Sequence, residues 1–471
     1  MPLWQCRAAD QSGPFLNHLP DMTKSSDSNA AAIVLAAGLG TRMKSGLPKV
    51  LHPLAGRPMI LNLLESVSEA GLGRAVVVVS DDRVADAVAP HACVRQSEQL
   101  GTGHAVLQAK DALKDVSGDI LILFGGDPLM TPETLAAMRA RRRAADAPAV
   151  VVLGFRPDDP TLYGRLVTDA DGTLEAIVEH RDANPEQLEI GLCNSGVMCV
   201  GGEHLFALLD QVGNDNAKGE FYLTDIVGIA RGQGLGCAVI EGDANELIGI
   251  DTRADLARAE AVMQNRLRAR VMAEGATLTD PDSVFFCHDT EIGRDVSIGP
   301  NVVFGPGVSV GDGVTIKPFC HMEGATVGPG ATIGPFARLR PGAELAEDVH
   351  IGNFVEIKNA TLEAGAKVNH LTYVGDARVG AKANIGAGTI TCNYDGFAKH
   401  HTDIGAGAFI GSNTALVAPV KVGDGAFIGA GSTIAKDVPG DALAVTRAPQ
   451  RNAEGWAERF RTTKRPEKIK G

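Results

Sequence analysis

The stretch EIGRDVSIGPNVVFGPGVSVGDGVTIKPFCHMEGATV, residues 291–327, carries an apolar residue at every sixth position from Ile292 to Met322. After one five-residue step the series resumes at Val327 and continues to Ile357, and a last run extends from Ile404 to Ile434. This spacing is neither the period of about 3.6 residues of a helix nor the period of about two residues of an ordinary strand. It indicates a structural repeat.

A six-residue repeat of this kind predicts a left-handed parallel β-helix, in which three short strands form each turn of a triangular prism. The recurring aliphatic residues fill the interior, and glycine and other small residues occupy the corners. The spacing stutters around Val368, Val374 and Val379, and the series breaks for a loop between Thr391 and Asp403. Loops that leave a rigid solenoid carry binding groups, so the break is a candidate site.

The N-terminal half has a different pattern, which begins with a buried strand from Ala31 that enters a glycine-rich turn at Gly38 and Gly40. Further apolar runs at 75–80, 120–124 and 150–154 alternate with helical stretches. This alternation predicts a doubly wound, Rossmann-like α/β domain whose ligands bind at the carboxyl ends of its strands.

The first turn matches neither the dinucleotide fingerprint nor the P-loop. Its glycines would let backbone N–H groups approach phosphate oxygens, and Arg42 and Lys49 could neutralise a triphosphate. We therefore expect a nucleotide phosphate site at this turn.

Composition narrows the possible partners. The chain has 471 residues, 44% hydrophobic and 4% aromatic, and a net charge of −13, which argues against nucleic acid and anionic membranes as partners. No apolar run approaches membrane-spanning length. Eight cysteines without a regular spacing indicate reduced thiols and a cytoplasmic protein. Residues 1–28 lack a signal-peptide core and are expected to form a disordered extension.

Several motifs together resemble a known family. Leu35-x-x-Gly38-x-Gly40-Thr41-Arg42-Met43 with Pro48-Lys49 is similar to the opening motif of sugar-phosphate nucleotidyltransferases. The resemblance extends over about residues 30–456 to the bifunctional N-acetylglucosamine-1-phosphate uridylyltransferase/glucosamine-1-phosphate N-acetyltransferase family. Its further motifs are Gln96, Gly101-Thr102-Gly103-His104-Ala105, Tyr163-Gly164-Arg165, Val178-Glu179-His180, Asn194-Ser195-Gly196 and Gly219-Glu220-Phe221-Tyr222-Leu223-Thr224-Asp225.

The resemblance implies that UTP lies over the turn from Leu35 through Ala36 and Ala37 to Gly38, with the uracil bound by Gln96, Gly101 and Thr102. It places the sugar among Gly164, Glu179 and Asn194. The sugar phosphate would attack the α-phosphorus of UTP, and Arg42, Lys49 and Mg²⁺ would stabilise the added charge.

The sequence departs from the family at the metal site. The family has Tyr or Phe, Gly, Asp, a small residue and Pro-Leu, and that Asp holds Mg²⁺. Here the run is Phe124-Gly125-Gly126-Asp127-Pro128-Leu129, so the carboxylate is displaced by one position. A shift by one residue on a regular strand turns a side chain to the opposite face, although Gly126 could redirect it. We assign the metal to Asp127 and to Asp251, which replaces the family's Asn.

On the β-helix, His370 has the side chain of a general base near neutral pH. The cationic side chains of Arg340 and Lys358 could bind a sugar phosphate. All match the family's acetyltransferase motifs. The resemblance implies that His370 takes a proton from the amino group of glucosamine-1-phosphate as it attacks acetyl-CoA, with Glu356 in the same catalytic group. It places Arg340, Lys358, Tyr373 and Asn384 around the sugar phosphate, and Ala387, Asn393, Tyr394, Ser412, Ala430 and Arg447 at acetyl-CoA.

These readings predict a uridylyltransferase domain at 29–251, a linker helix at 252–275, an acetyltransferase β-helix at 276–447 and a basic tail at 448–471. The family implies a homotrimer through the β-helix. The leading interpretation is a bifunctional enzyme that makes UDP-N-acetylglucosamine. Two alternatives remain open at this point, namely an acetyltransferase with an impaired nucleotidyltransferase domain and a nucleotidyltransferase with a purely structural β-helix.

Overall fold

The computed structural model describes residues 27–161, 163–216 and 219–464. The extension expected at residues 1–28 therefore lies outside the described residues up to position 26. Its last two residues belong to the first strand instead. Arg139 and Arg143 hold this end of the strand in place, because they bind the carboxylate of Asp27 at 2.8 and 2.6 Å. Three of the basic residues in the expected tail, Arg465, Lys468 and Lys470, also lie outside the described part.

The first compact unit, residues 1–263, is an α/β domain. Its strands are β1 (Asp27–Ala36), β2 (Pro53–Leu54), β3 (Arg57–Pro58), β4 (Leu72–Val79), β5 (Ala92–Arg95), β6 (Asp119–Phe124), β7 (Val150–Phe155), β8 (Arg165–Thr168), β9 (Leu174–Val178), β10 (Cys193–Gly201) and β11 (Cys237–Glu241). Its helices are α1 (Met59–Glu69), α2 (Asp82–Ala87), α3 (Thr102–Leu107), α4 (Pro132–Arg142), α5 (Pro185–Leu188), α6 (Gly202–Leu209) and α7 (Asp225–Gly232), and α8 (Arg253–Ala273) follows.

The main sheet has the order β11-β7-β10-β6-β1-β4-β5, and apolar clusters cover both of its faces. Ile33 of β1 lies between Val76 of β4 and Ile122 of β6, all in parallel register. Strand β10, which the apolar runs did not predict, pairs antiparallel with both β6 and β7. The predicted doubly wound α/β fold is confirmed, with one reversed strand in an otherwise parallel centre.

The second compact unit, residues 264–471, is a parallel β-helix. Its strands are β12 (Thr277–Leu278), β13 (Glu291–Ile292), β14 (Ser297–Ile298), β15 (Val303–Phe304), β16 (Val308–Val310), β17 (Thr315–Ile316), β18 (His321–Met322), β19 (Ala325–Val327), β20 (Thr332–Ile333), β21 (Arg338–Leu339), β22 (Ala343–Leu345), β23 (His350–Leu362), β24 (Lys367–Val379), β25 (Asn384–Ile385), β26 (Ile390–Cys392), β27 (Thr402–Ile404), β28 (Phe409–Ile410), β29 (Ala415–Val417), β30 (Val420–Val422), β31 (Phe427–Ile428), β32 (Thr433–Ile434) and β33 (Leu443–Ala444).

Pairing in the β-helix follows the predicted repeat. Most short strands pair in parallel with the third strand further along the chain, as three strands per turn require. Ile298 stacks on Ile316, and Ile316 stacks on Ile333, across the five-residue step. The repeat residues are buried, so the core is a set of aliphatic stacks along the prism.

The predicted stutter leaves the stacks intact. Val368, Val374 and Val379 of β24 lie directly on Ile351, Ile357 and Leu362 of β23. The step from Val374 to Val379 is five residues long, and so is the step from Ile357 to Leu362 in the coil before it. The two coils therefore keep the same register. The loop between β26 and β27 also preserves the pairing, because Ile404 still stacks on Val379.

Two helices complete the described chain. Helix α8 contains the point, between Met263 and Gln264, at which the two compact units divide. Helix α9 (Trp456–Lys464) is exposed along the part of its length whose side chains are described, and Trp456 stacks on Phe460. Within the described ranges, no helix is long and apolar enough to span a membrane.

Candidate active sites

A cavity of about 260 Å³ opens at the carboxyl ends of β1 and β6 and is called here the strand-edge cavity. It forms there because parallel strands end at the same edge of a sheet. It brings together eight residues of the predicted nucleotide site, and Gly126 also lines it. Those eight are Leu35, Ala36, Ala37, Gly38, Lys49, Gln96, Gly101 and Thr102.

Gly101 shapes one wall of the strand-edge cavity. It has a φ of 116° and is the N-cap residue of α3, and a Cβ atom there would lie 2.5 Å from the carbonyl oxygen of Phe221. Only glycine combines this backbone angle with so close a contact. The N–H groups of Phe221 and Gly103 complete the junction by donating to Leu100 O and Phe221 O, each at 2.8 Å.

A second cavity of about 890 Å³, called here the adjoining cavity, shares Thr102, Phe124 and Glu220 with the first. Its lining includes Arg42 and the three residues predicted to bind the sugar, Gly164, Glu179 and Asn194. The two predicted subsites are therefore neighbours around common wall residues.

Arg42, Lys49 and Asp251 form a charged cluster. Nη2 of Arg42 lies 3.0 Å from Oδ2 of Asp251, and Nζ of Lys49 lies 3.0 Å from its Oδ1. Arg253 fixes the segments that carry both cations, because it donates to the carbonyl oxygen of Met43 at 3.3 Å and lies 3.1 Å from Nδ1 of His52. The cluster thus joins two parts of the chain that are distant in sequence, residues 42–52 and 251–253.

Asp127 lies in the interior rather than in the lining of the strand-edge cavity. Burial raises the pKa of Asp127 to about 7, the charge of Lys49 opposes the rise, and the charge of Asp251 adds to it. No described residue donates a hydrogen bond to its carboxylate. Gly126 occupies the cavity wall in its place, and a Cβ atom there would lie 2.9 Å from Nζ of Lys49.

These carboxylates fit a divalent cation in their donor chemistry. Asp127 and Asp251 interact electrostatically, and Asp127 is buried with too little positive charge around it to keep an ordinary pKa. Carboxylate oxygens are the donors that hard divalent ions prefer. A metal ion held by these residues would supply the missing positive charge.

The second candidate site surrounds His370 of β24. Nδ1 of His370 lies 2.6 Å from Oδ1 of Asn353, one coil earlier. Because a carbonyl oxygen only accepts hydrogen bonds, Nδ1 carries the proton and Nε2 keeps its lone pair. This tautomer is the one that a general base acting at Nε2 requires.

The predicted acetyl-CoA residues continue from His370 along one corner of the prism. The carbonyl oxygens of His370, Ala387 and Ser412 each accept a backbone hydrogen bond from the next coil, at 3.3, 2.7 and 2.8 Å. Nη1 of Arg447 donates to the carbonyl oxygen of Ala430 at 2.6 Å. The structure therefore aligns these residues in consecutive coils on the C-terminal side of His370.

The loop between β26 and β27 brings in a residue that the sequence did not single out. Lys399 pairs with Tyr394 in a β-bridge and contacts Lys358. Contact with the Lys399 amine lowers the pKa of Lys358, and burial and the nearby charges of Lys399 and Arg340 lower it further. Three cationic side chains thus converge here, as binding a phosphate requires.

Polar partners order this cationic cluster. Nη1 of Arg340 pairs with Glu356 Oε1 at 2.8 Å, and Nδ2 of Asn393 donates to the hydroxyl oxygen of Tyr373 at 3.3 Å. Asp376, which the sequence did not single out either, accepts from Asn393. Burial tends to raise the pKa of Asp376, but hydrogen bonds and the two lysines outweigh burial and lower it.

Asn384 lies apart from the cationic cluster. It stacks between Lys367 and Phe409, whereas Tyr373 stacks on Glu356. These two stacks run along different sides of the triangular prism. Within one chain, the register does not bring together all the residues predicted to bind the sugar phosphate.

The folds and sites define a nucleotidyltransferase joined to a hexapeptide-repeat acyltransferase. Residues 32–184 match the MobA-like NTP transferase domain, and residues 289–324, 324–359 and 401–436 match the bacterial transferase hexapeptide repeat. The chain is 65% identical over 433 residues to the bifunctional protein GlmU of Rhodospirillum rubrum, covering 92% of this chain and 97% of that protein. The chain belongs to the GlmU family.

Two further relatives agree with this assignment. GlmU of Paramagnetospirillum magneticum is 62% identical over 445 residues, covering 94% of this chain and 99% of that protein. GlmU of Azorhizobium caulinodans is 54% identical over 450 residues, covering 94% and 100%. The chain is a bifunctional enzyme that makes UDP-N-acetylglucosamine by acetyl transfer and uridylyl transfer, and it uses a divalent metal ion. Neither single-function alternative is supported.

Proposed function

We propose that His370 is the central group of acetyl transfer, in a domain at residues 276–447. Lys49 is the central group of uridylyl transfer, in a domain at residues 29–251. The observation that carries the acetyl-transfer assignment is the hydrogen bond from His370 Nδ1 to Asn353 Oδ1, at 2.6 Å. It leaves a basic nitrogen at the end of the corner that bears Ala387, Ser412 and Ala430.

In acetyl transfer, Nε2 of His370 takes a proton from the amino group of glucosamine-1-phosphate as the nitrogen attacks the thioester carbonyl carbon. The carbon–sulfur bond then breaks, and the CoA thiolate leaves and accepts a proton. Arg340, Lys358, Tyr373 and Asn384 hold the sugar phosphate, with Glu356 orienting Arg340. The acetyl-CoA site comprises Ala387, Asn393, Tyr394, Ser412, Ala430 and Arg447.

In uridylyl transfer, a phosphate oxygen of N-acetylglucosamine-1-phosphate attacks the α-phosphorus of UTP, and pyrophosphate leaves. The strand-edge cavity holds UTP, and the adjoining cavity holds the acetylated sugar. Arg42 and Lys49 stabilise negative charge as the new bond forms. Asp251 holds both cations at the junction of the cavities, which supports their joint role.

We assign the divalent ion as Mg²⁺, with Asp127 and Asp251 as its protein ligands. When bound, Mg²⁺ neutralises and orients phosphate oxygens. The buried, poorly compensated carboxylate of Asp127 supports this assignment, as does the oxygen-only donor set.

We further propose a cytoplasmic homotrimer assembled through the β-helix. Asn384 and the cationic cluster lie on different sides of one prism, so a second copy could complete the sugar phosphate site. The exposed Trp456 and Phe460 of α9 offer an apolar surface to a neighbouring copy. Hexapeptide repeats also favour oligomers.

The test measures pyrophosphate release from UTP and N-acetylglucosamine-1-phosphate beside CoA release from acetyl-CoA and glucosamine-1-phosphate, on one preparation. His370→Ala should lower CoA release by about 10²- to 10⁴-fold, the usual contribution of a general base, and leave pyrophosphate release unchanged. His321→Ala, an exposed histidine on the same prism, is the matched control. Undiminished acetyl transfer near pH 7 in His370→Ala would remove the general-base assignment.

A further inference from the structure

The amide of Gln96 is held in one orientation at the strand-edge cavity. The residue is only 4% exposed, and it lines that cavity. Its Nε2 donates to the carbonyl oxygen of Gly101 at 3.2 Å and lies 3.1 Å from Nδ1 of His104. Two acceptors therefore occupy both N–H bonds of the amide. Oε1, which receives no hydrogen bond from the described residues, is the atom left to meet a nucleobase.

We propose that His104 is a positioning residue that sets nucleobase selectivity by keeping Oε1 of Gln96 turned toward the base. The inference rests on the proposed uridylyl transfer. Uracil presents its N3–H as a donor, which an amide oxygen accepts. Cytosine has an unprotonated N3 that only accepts, so two acceptors would face each other. A fixed acceptor thus favours UTP and disfavours CTP.

The first turn of α3 supplies both acceptors that fix the amide. The carbonyl oxygen of Gly101 has two lone pairs and also accepts from the N–H of Ala105 at 3.1 Å. His104 is three residues further along the chain, on the same side of the turn. The motif Gly101-Thr102-Gly103-His104 therefore places a carbonyl oxygen and an imidazole nitrogen around one amide group.

Gln96 and Gln108 compete to donate a hydrogen bond to the imidazole of His104. Nε2 of Gln108 lies 3.2 Å from Nε2 of His104, and it also donates to the carbonyl oxygen of His104 at 3.0 Å. A neutral imidazole accepts at one ring nitrogen only, so it cannot accept from both Gln96 and Gln108.

Burial decides this competition in favour of Gln96. An unmet hydrogen bond costs more for a buried group than for one that water can reach, and Gln108 is only half-buried. Nδ1 of His104 therefore accepts from Gln96, and Nε2 carries the proton. Gln108 keeps the hydrogen bond from its Nε2 to the carbonyl oxygen of His104, and the proton on Nε2 of His104 is left to water.

The experiment compares kcat/KM for UTP and for CTP in pyrophosphate release with N-acetylglucosamine-1-phosphate. His104→Leu removes the acceptor and should lower the UTP-to-CTP ratio about tenfold, the worth of one neutral hydrogen bond. His104→Asn keeps an acceptor near the Nδ1 position, so its ratio should stay within about threefold of that of the wild-type enzyme. Gln108→Leu, the matched control at the residue that caps the C-terminus of α3, should leave the ratio unchanged.

An unchanged ratio in His104→Leu would overturn the inference, as would an equal fall in Gln108→Leu. If His104→Leu does not fold, His104→Lys provides the same test, because an ammonium group only donates and should also lower the ratio. No pyrophosphate release from UTP by the wild-type enzyme would overturn the proposed function itself. The two failures are therefore distinguishable.

Discussion

Nζ of Lys49 lies 3.0 Å from Oδ1 of Asp251, although the two residues are 202 positions apart. This contact joins the turn that follows the first strand to the segment that precedes α8. Arg42 binds the other oxygen of the same carboxylate. The geometry of uridylyl transfer therefore depends on the folded α/β unit as a whole and not on the glycine turn alone.

Gly126 should be sensitive to the smallest added side chain. Gly126→Ala would place Cβ 2.9 Å from Nζ of Lys49 and push the ammonium away from Asp251. Lysine can move, so we expect little change in thermal stability but a roughly 10- to 100-fold loss of pyrophosphate release, as for a lost charged hydrogen bond. Gly232→Ala is the matched control, since its Cβ would meet no atom within 4 Å. Equal rates in the two variants would contradict the expectation.

Metal removal should separate the two activities. With a chelator present, pyrophosphate release should fall to background, and CoA release should persist, because the proposed carboxylate ligands lie only in the α/β unit. Asp251→Ala should raise the Mg²⁺ concentration for half-maximal pyrophosphate release about tenfold by removing one ligand. CoA release by the same sample is the internal control. An unaltered Mg²⁺ dependence in Asp127→Asn would remove Asp127 from the metal site.

Lys399 should contribute to sugar phosphate binding more than to chemistry. Lys399→Met should raise the KM for glucosamine-1-phosphate about tenfold and leave kcat nearly unchanged, since it removes one of three converging cations. Lys436→Met changes an exposed lysine elsewhere on the β-helix and should have no effect. A fall in kcat at constant KM would instead indicate that Lys399 acts in the transition state.

Asp119 should be essential to the stability of the first unit. Its fully buried carboxylate accepts from Arg139 and Arg142 and pairs with Nε of Arg143 at 2.6 Å. Asp119→Ala would remove the buried carboxylate that these three guanidinium groups share, leaving Arg139 and Arg143 only Asp27, and should destabilise the unit by about 3–5 kcal/mol in calorimetry. Asp115→Ala, which breaks the exposed pair with Arg74, should melt like the wild-type protein. Similar melting of the two variants would contradict this contrast.

Cysteine labelling should follow burial. Burial raises the pKa of Cys199 and Cys287 to about 12 and that of Cys320 to about 11. A raised pKa keeps a thiol protonated below that pH, and only the thiolate reacts quickly. At pH 8, Cys93, which is exposed, should be alkylated before these three, as peptide mass mapping would show. Rapid labelling of Cys320 in the native protein would contradict the structure.

The sequence predicted the β-helix because its core contacts join residues at fixed separations. Ile298, Ile316 and Ile333 stack as their spacing indicated. Eight of the residues that the family resemblance assigned to the nucleotide site, without Arg42 and Asp251, also line one cavity. Each of these results depends on a local period or on a motif with constant spacing.

Other features could not be read from spacing because they depend on the path of a loop or on a distant partner. Lys399 reaches Lys358 only because the loop forms a bridge with Tyr394, and Asp395 binds the backbone N–H groups of Phe397 and Ala398 at 2.8 Å. The side on which Asp127 lies depends on the turn after β6. The contact of Asn353 with His370 requires the stacking of two coils.

The stacked coils make the length of the prism adjustable. Ile298 and Ile316 occupy equivalent positions in consecutive coils. Deletion of residues 299–316 would therefore join Ile298 to Lys317 and remove one complete coil. Ile298 would then stack on Ile333 in place of Ile316, and the coils further away would keep their neighbours, since each coil touches only the coils before and after it. The corner of the prism that carries the acetyl-transfer residues begins at His370 and would be unchanged. The β-helix can therefore be shortened, in evolution or by design, without altering the proposed acetyl-transfer site.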